Sequence, residues 1–244
     1  VVVQAAAMLS QAERPVILAG RGSRSLASWQ QRIALAEKLR APVVTHLMLP
    51  ATFPTEHPLH VPSPGMYLSA DAERLVERAD VILSLDWLDL AGTLKQACRR
   101  APFSGAVIHV SCDAHSHRGW SADHQGLPPV DLYLLCESDA ALPRLIEAVL
   151  PRLDGPPVPP PHPTPHGVLG PLADALALAT AGQEICYTRL PLGWNGAYSR
   201  WRHPLDYIGH DGGAGVGSGP GIAVGAALAL QGTERLAVAG MGDG

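Results

Sequence analysis

Asp211-Gly212-Gly213-Ala214-Gly215-Val216-Gly217-Ser218-Gly219-Pro220-Gly221 opens the stretch from which the fold is read, and Gly242-Asp243-Gly244 closes it. Eight of the chain's 25 glycines fall between Gly209 and Gly225. That density does not suit the interior of a helix or strand, because each glycine adds backbone freedom that folding must remove. A loop of this composition is expected to bring backbone very close to a neighbour. Downstream, Ile222 to Leu230 carries small and aliphatic residues on nearly all sides, as a buried helix would, and Arg235 to Ala239 reads as a short buried strand. Gly242-Asp243-Gly244 therefore falls where a parallel strand ends, the edge at which open α/β sheets take their ligands. A carboxylate flanked by glycines there can hold a divalent cation while nearby N–H groups face phosphate oxygens.

Upstream, apolar runs alternate with helical patterns. Strands are predicted at Val16 to Ala19, Val43 to Leu47, Val81 to Leu85, Ala106 to Val110 and Leu132 to Leu135. Helices are predicted before Glu13, over Leu26 to Leu39, Ser69 to Ala79 and Thr93 to Arg100, and from Ala140 to Leu150. In the second of these, Leu26, Ile33, Leu35, Ala36 and Leu39 are available for the inner face. Five buried strands alternating with helices predict an α/β fold with a doubly wound parallel sheet. Met48 to Pro64 carries five prolines and reads as loop. From Pro151 to Pro171 come nine of the chain's 23 prolines, a composition that favours extended, solvated backbone. The predicted organisation is a domain over 1–153, a Pro-rich linker over 154–167, and a partial second α/β domain over 168–244. A helix near Leu169 to Ala181 and a strand from Glu184 to Thr188 begin that second domain.

This layout resembles the thiamine diphosphate enzymes of the acetolactate synthase and benzoylformate decarboxylase type, whose cofactor motif opens with Gly-Asp-Gly after a strand and closes with an Asn a couple of dozen residues later. The opening matches at Gly242, Asp243 and Gly244, and the chain stops before a closing Asn could appear. Pro54-Thr-Glu-His-Pro-Leu, Gly65-Met66 and Arg78-Ala-Asp80-Val-Ile-Leu resemble the succession in that family's Rossmann-like central domain. Residues up to about 153 thus correspond to the central domain and those from about 168 to the first part of the diphosphate-binding domain, with nothing corresponding to the pyrimidine-binding domain that comes first in the family. The resemblance implies that Asp243 coordinates Mg2+ bridging the cofactor's diphosphate, with Gly242 and Gly244 beside it. It also implies that Gly215, Val216 and Gly217 contact the aminopyrimidine ring, although Pro220-Gly221 departs from the family's usual Leu-Pro order. Decarboxylation or carboligation of 2-oxo acids or related acyl donors, by a homodimer or homotetramer, is the activity implied. The activating glutamate would come from the pyrimidine-binding domain of a partner subunit, so no catalytic residue is assigned here and the fragment itself is expected to be inactive.

Other candidates read more weakly. Gly20-Arg21-Gly22-Ser23-Arg24-Ser25 has Ser where the third glycine of a dinucleotide loop belongs, and Thr45 and His46 stand where an acidic residue would hold a ribose, which disfavours NAD. Some members of the family bind FAD after Gly-Met and with an Arg after the third strand. Here Gly65-Met66 continues as Tyr67-Leu68 and the strand exits into Asp86-Trp87-Leu88-Asp89, so FAD is not expected. A non-catalytic FAD or adenine-nucleotide module, or a subunit-packing domain, is the alternative. Trp194 and Asn195 follow a strand where ligand contacts are common, yet a Trp there more often belongs to core. His115, His117 and His124 with Cys112 and Asp113 lack the second well-spaced pair that zinc requires. No Gly-x-Ser-x-Gly elbow is present.

With 244 residues, 47% hydrophobic and 16% charged, the chain can bury a substantial core. A net charge of −4 with scattered basic residues offers no footprint for nucleic acid or an anionic membrane. The four cysteines show no metal or disulfide spacing and suit reduced thiols in a cytoplasmic protein. The first residues lack the basic leader of a signal peptide and read as a helix entered mid-chain.

Overall fold

A computed structural model of the chain describes residues 1–62, 64–113, 124, 126–160, 167–210 and 217–242. Its first 149 residues form α1 (Val2–Gln11), β1 (Pro15–Ala19), α2 (Leu26–Leu39), β2 (Val43–Val44), α3 (Ala70–Arg78), β3 (Val81–Leu85), α4 (Leu90–Ala97), β4 (Ala106–Val110), β5 (Leu132–Leu134) and α5 (Ser138–Ala148). All five strands are parallel, in the order β2-β1-β3-β4-β5.

Alternation along the strands sorts side chains between two cores. Ile17, Leu83, Ile108 and Leu134 face α1, α2 and α5 through Leu9, Leu35 and Leu142. Val16, Leu18, Ile82 and Val107 face α3 and α4 through Val76, Leu90 and Leu94. β1 and β3 are buried along their whole length, which is why both read as unbroken apolar runs. Helix starts are fixed locally: the side chains of Ser25, Ser69 and Asp89 accept from Ser28, Ala72 and Gly92 N–H.

Parts of this unit differ from expectation. β2 is shortened to two residues, because beyond Val44 the chain meets the proline-rich segment, whose Val61 N–H donates to Val43 O at 2.8 Å. α4 begins three residues earlier, where Asp89 supplies the cap. The inner face of α2 contains Trp29 and Arg32 in place of Leu26, which is 51% exposed. Arg32 is tolerated there because its guanidinium pairs with Asp139 and donates to Thr52 O at 2.7 Å. Asp139 also accepts from Ser23 N–H at 2.8 Å.

The remainder comprises α6 (Gly170–Ala179), β6 (Ile185–Arg189), α7 (Ser218–Ala229) and β7 (Leu236–Ala239), with β6 and β7 forming a separate two-stranded parallel sheet. α7 starts four residues before the predicted helix, and β7, expected to be buried, is half-exposed because no element among the described residues covers its far side. Residues 151–160 have no regular structure, yet they stay against the first unit: Arg152 N–H donates to Lys38 O at 2.9 Å.

The irregular segment between β6 and α7 packs on the proline-rich loop of the first unit. Tyr207 is 1% exposed, stacks on Trp201, and donates from its hydroxyl to Leu47 O at 2.7 Å. Ala51 N–H donates to Tyr207 O at 2.9 Å, Thr55 N–H to Trp201 O at 3.0 Å, and His210 N–H to Met48 O at 3.1 Å. Arg202 forms a forked ion pair with Glu56 at 2.6 and 3.1 Å. In the same loop His60 is buried with its Nε2 at 2.7 Å from Thr45 Oγ1.

Two predictions follow from these buried polar groups. Asp139→Ala should strand the Arg32 guanidinium in the core, and we expect a loss of about 3–5 kcal/mol in urea unfolding, the usual cost of breaking a buried pair; a loss under about 1 kcal/mol would mean the pair behaves as a surface contact. Burial first, and His57 second, push the His60 imidazole down to about 3. The unfolded chain then binds a proton that the fold refuses, so stability is complete above the unfolded value near 6.5 and falls as pH drops toward about 3, by up to about 1.4 kcal/mol per pH unit. Unfolding measured between about pH 7 and 5.5 should show this slope, and His60→Gln should flatten it.

Candidate functional site

The C-terminal edges of both sheets are the places to search, since helix N-termini and strand ends collect there. In the five-stranded sheet the order reverses between β1 and β3, and the crevice at that point is filled by the protein itself. A Cβ on Gly20 would lie 2.2 Å from Asp86 O, so this position is glycine because two strand ends meet there. Arg21 holds Asp86 at 2.9 Å and also pairs with Asp113, while Ser111 Oγ donates to Asp86 at 2.6 Å. Backbone N–H groups that a phosphate would need are engaged: Gly20 with Leu85 O, Arg21 with Asp86 O, Ser23 with Asp139 and Ser25 with Ser23 Oγ.

Beside this crevice a cleft of about 690 Å³ brings together the Met66–Leu68 segment, the Trp87–Asp89 exit of β3, and the cations Lys95 and Arg99. His124 N–H donates to Asp89 at its rim at 3.2 Å. His115 and His117 lie outside the described residues, and among those described no group of three or more His, Cys, Asp or Glu is placed to hold a metal.

At the second sheet three chain ends converge. β6 finishes at Arg189 and β7 at Ala239, which are register partners, and Gly240 N–H donates to Arg189 O at 2.9 Å. The N-terminus of α7 abuts both. A Cβ on Gly219 would lie 3.0 Å from Arg189 Cδ and 3.1 Å from Met241 Sδ. Arg189 Nη1 donates to Ser218 Oγ at 3.1 Å.

Gly217 takes the N-cap position of α7 with φ +91°, a conformation that side chains rarely adopt, and a Cβ there would have no atom within 4 Å. α7 has no side-chain cap and no acidic residue in its first turn. Its leading N–H groups therefore point out of the helix at a ligand-facing sheet edge without a carboxylate of their own helix. A Cβ on Gly242, which follows Met241, would meet no atom of the described residues within 4 Å. Of the predicted site residues, Gly217 and Gly242 are thus brought to one edge, whereas Gly215, Val216, Asp243 and Gly244 lie outside the described residues.

Trp194 and Asn195 serve the fold. Trp194 is buried against Leu47 and Ala173 and donates from Nε1 to Ser199 Oγ at 3.2 Å, and Asn195 caps the turn at 196–198 by accepting from Ala197 N–H at 2.8 Å. Arg189 and Ser218, whose side chains meet at this edge, are not among the residues singled out from the sequence. The available signal was a basic residue at the ligand-facing end of a strand whose crossover enters a helix through glycines.

A family model described as "Thiamine pyrophosphate enzyme, central domain" matches residues 2–123, half of the chain. The acetolactate synthase large subunit of Corynebacterium glutamicum is 34% identical over 82 residues, covering 34% of this chain and 13% of that protein. The sulfoacetaldehyde acetyltransferase of Rhodobacter capsulatus is 43% identical over 82 residues, covering 34% of this chain and 14% of that protein. The solved thiamine diphosphate-dependent 4-hydroxybenzoylformate decarboxylase of Rhodococcus jostii RHA1 shares the fold, with a TM-score of 0.64 at 22% identity over 97% of this chain and 45% of that chain. The matched region is thus a small part of each curated relative and under half of the solved chain. With the family's central-domain pattern running through the doubly wound sheet, the chain belongs to the thiamine pyrophosphate enzyme family.

Proposed function

We propose that these residues form part of a thiamine diphosphate- and Mg2+-dependent enzyme that decarboxylates or carboligates 2-oxo acids or related acyl donors. The observation that carries the proposal is the meeting of the α7 N-terminus, the end of β6 and the exit of β7 at one sheet edge. The residues present fit the cofactor. Among the described residues no atom lies within 4 Å of where a Cβ on Gly217 or Gly242 would stand, and the first turn of α7 offers N–H groups that no side chain of the helix caps. When bound, the cofactor would supply a nucleophilic ring carbon for the substrate carbonyl and a thiazolium ring able to take up the electron pair released afterwards.

In this reading Gly215, Val216 and Gly217 hold the aminopyrimidine ring. Gly242 and Gly244 bring backbone N–H groups to the diphosphate, and the Asp243 carboxylate grips Mg2+, which spreads the phosphate charge. No residue of this chain is assigned a proton transfer; that role is proposed for a glutamate of a partner subunit, in a homodimer or homotetramer in the cytoplasm. Among the described residues no helix is long and apolar enough to cross a membrane. Four of the six backbone N–H groups of the Gly20–Ser25 loop, those of Gly20, Arg21, Ser23 and Ser25, are engaged within the protein, which speaks against a phosphate there and so against the adenine-nucleotide alternative. The cleft beside Trp87 is the place where that alternative would have to stand.

The 244 residues alone, spanning under half of the solved relative, are proposed to turn over no substrate and to bind the cofactor weakly. Calorimetric titration with thiamine diphosphate and Mg2+ tests this, and tight stoichiometric binding by the 244 residues would overturn it. In the whole protein, Asp243→Ala should weaken cofactor binding at least about tenfold, the scale of one charge-assisted contact, and remove its dependence on Mg2+. A preparation carrying stoichiometric flavin would favour the nucleotide reading instead.

A further inference from the structure

We propose that Cys112 and Cys136 form a redox-active pair that closes to a disulfide across the exits of β4 and β5. The pair lies on the five-stranded sheet and is independent of the cofactor reading above. β4 and β5 are neighbouring parallel strands whose last register partners are Val110 and Leu134, so Cys112 and Cys136 stand level, each two residues further on. Side chains alternate along a strand, and Val110 and Leu134 both face the core beneath α1, α2 and α5. Cys136 packs against that core, and the alternation puts Cys112 on the same side. Neighbouring strands run about 4.7–4.9 Å apart, within the span of about 4.4–6.8 Å that a disulfide takes between Cα atoms.

Beyond the ladder the two exits are kept from splaying. Leu134 O accepts from Ser111 N–H at 3.1 Å and from Cys136 N–H at 2.9 Å, so one oxygen gathers the residue before Cys112 and Cys136 itself. Arg21 ties the residues that follow: its side chain pairs with Asp113, and its carbonyl accepts from Ser138 Oγ at 2.7 Å. Asp113 N–H turns back to Ser111 Oγ at 2.9 Å, leaving Cys112 exposed at the apex of the turn. Cys136 is half-buried, and burial first, then Cys112 and Glu137, push its thiol up, which places the two sulfurs within electrostatic reach.

Hydrogen peroxide is the oxidant that this arrangement suits. The exposed Cys112 thiolate bonds one peroxide oxygen, the O–O bond breaks, and the other oxygen leaves as water after taking up a proton. The Cys136 sulfur then attacks the Cys112 sulfur: the S–S bond forms, the S–O bond breaks, and hydroxide leaves as water with the Cys136 proton. The two thiols together lose two electrons, and one peroxide is reduced to two waters. In reducing compartments such pairs serve as transient sensors. This one ties the end of β4 to the start of α5, whose Asp139 holds the buried Arg32.

The test treats the whole protein with stoichiometric hydrogen peroxide, blocks the remaining thiols with N-ethylmaleimide, and maps the peptides by mass spectrometry without reductant. A peptide pair linked through Cys112 and Cys136 should appear, vanish with dithiothreitol, and form at least about tenfold faster in the folded protein than in urea, because the fold holds the sulfurs together. Cys98 and Cys186 should stay open to the blocking reagent once the chain is unfolded. In Cys136→Ser, Cys112 should instead proceed to the sulfinic acid. Should the melting temperature show that this variant has not folded, the comparison of folded with urea-unfolded wild type carries the test alone. The pair is overturned if no link forms, if the link forms no faster than in urea, if Cys112 joins a second chain, or if wild-type Cys112 reaches the sulfinic acid with Cys136 still blocked as a thiol.

Discussion

Parallel strands must be covered on both faces, because their crossover helices cannot avoid lying there, and this constraint sets the shape of the first 149 residues. β1 and β3 sit at the centre with every residue buried, so nothing polar can enter the sheet except in pairs. Ser84 and His109 illustrate the rule: they are register partners on β3 and β4, and the hydroxyl lies 2.8 Å from the ring nitrogen. Burial holds His109 below the ordinary histidine range, so the ring is neutral in the fold at neutral pH. At the strand ends the same economy closes the crevice between β1 and β3. Gly20 lets the backbone meet Asp86, and Arg21 pairs with both Asp86 and Asp113.

Ion pairs fill the crevice of the five-stranded sheet at that point, and the two-stranded sheet is separate from it. The link between the two is the segment from Trp194 to His210, which has almost no regular structure and yet buries Trp194, Trp201 and Tyr207. Trp194, Trp201 and Tyr207 together anchor it against Leu47 and Ala51. Burying aromatic side chains of this size stabilises a contact by about 1.5–3 kcal/mol each, enough to hold the units together without a covalent tie. His210 N–H donates to Met48 O immediately before the glycine tract. The tract therefore leaves from a point fixed on the first unit and arrives at α7, which is fixed on the second sheet.

The strands of the first unit were legible because each is a short apolar run bounded by Gly, Pro or Asp, and continuous burial makes such runs unambiguous. Polar members of the core were not legible. Arg32 sits on the inner face of α2 because Asp139 meets it, and that partner is 107 residues away, outside any periodicity window. The start of α7 was missed for a local reason. Ser218-Gly219-Pro220-Gly221 looks like a breaker, but Pro fits the first turn of a helix, where its missing N–H costs nothing. The docking of residues 194–210 left no trace in pattern, since its hydrogen bonds are mostly backbone contacts between irregular segments. Of the candidate site, the edge was legible from the order of elements, whereas Arg189 and Ser218 depend on a side-chain direction that no spacing encodes.

The second sheet contrasts with the first. A helix that is apolar all round belongs in an interior, yet among the described residues α7 carries Val224 at 61% and Leu228 at 59% exposure, with Leu236 on β7 at 49%. An exposed apolar surface of this kind is what contacts between domains or subunits are made of. At its start the same helix meets Arg189 and Met241 across Gly219, where a Cβ would lie 3.0 and 3.1 Å from them. A close-packed helix moves as one body, so a shift on its apolar face is also a shift at that contact.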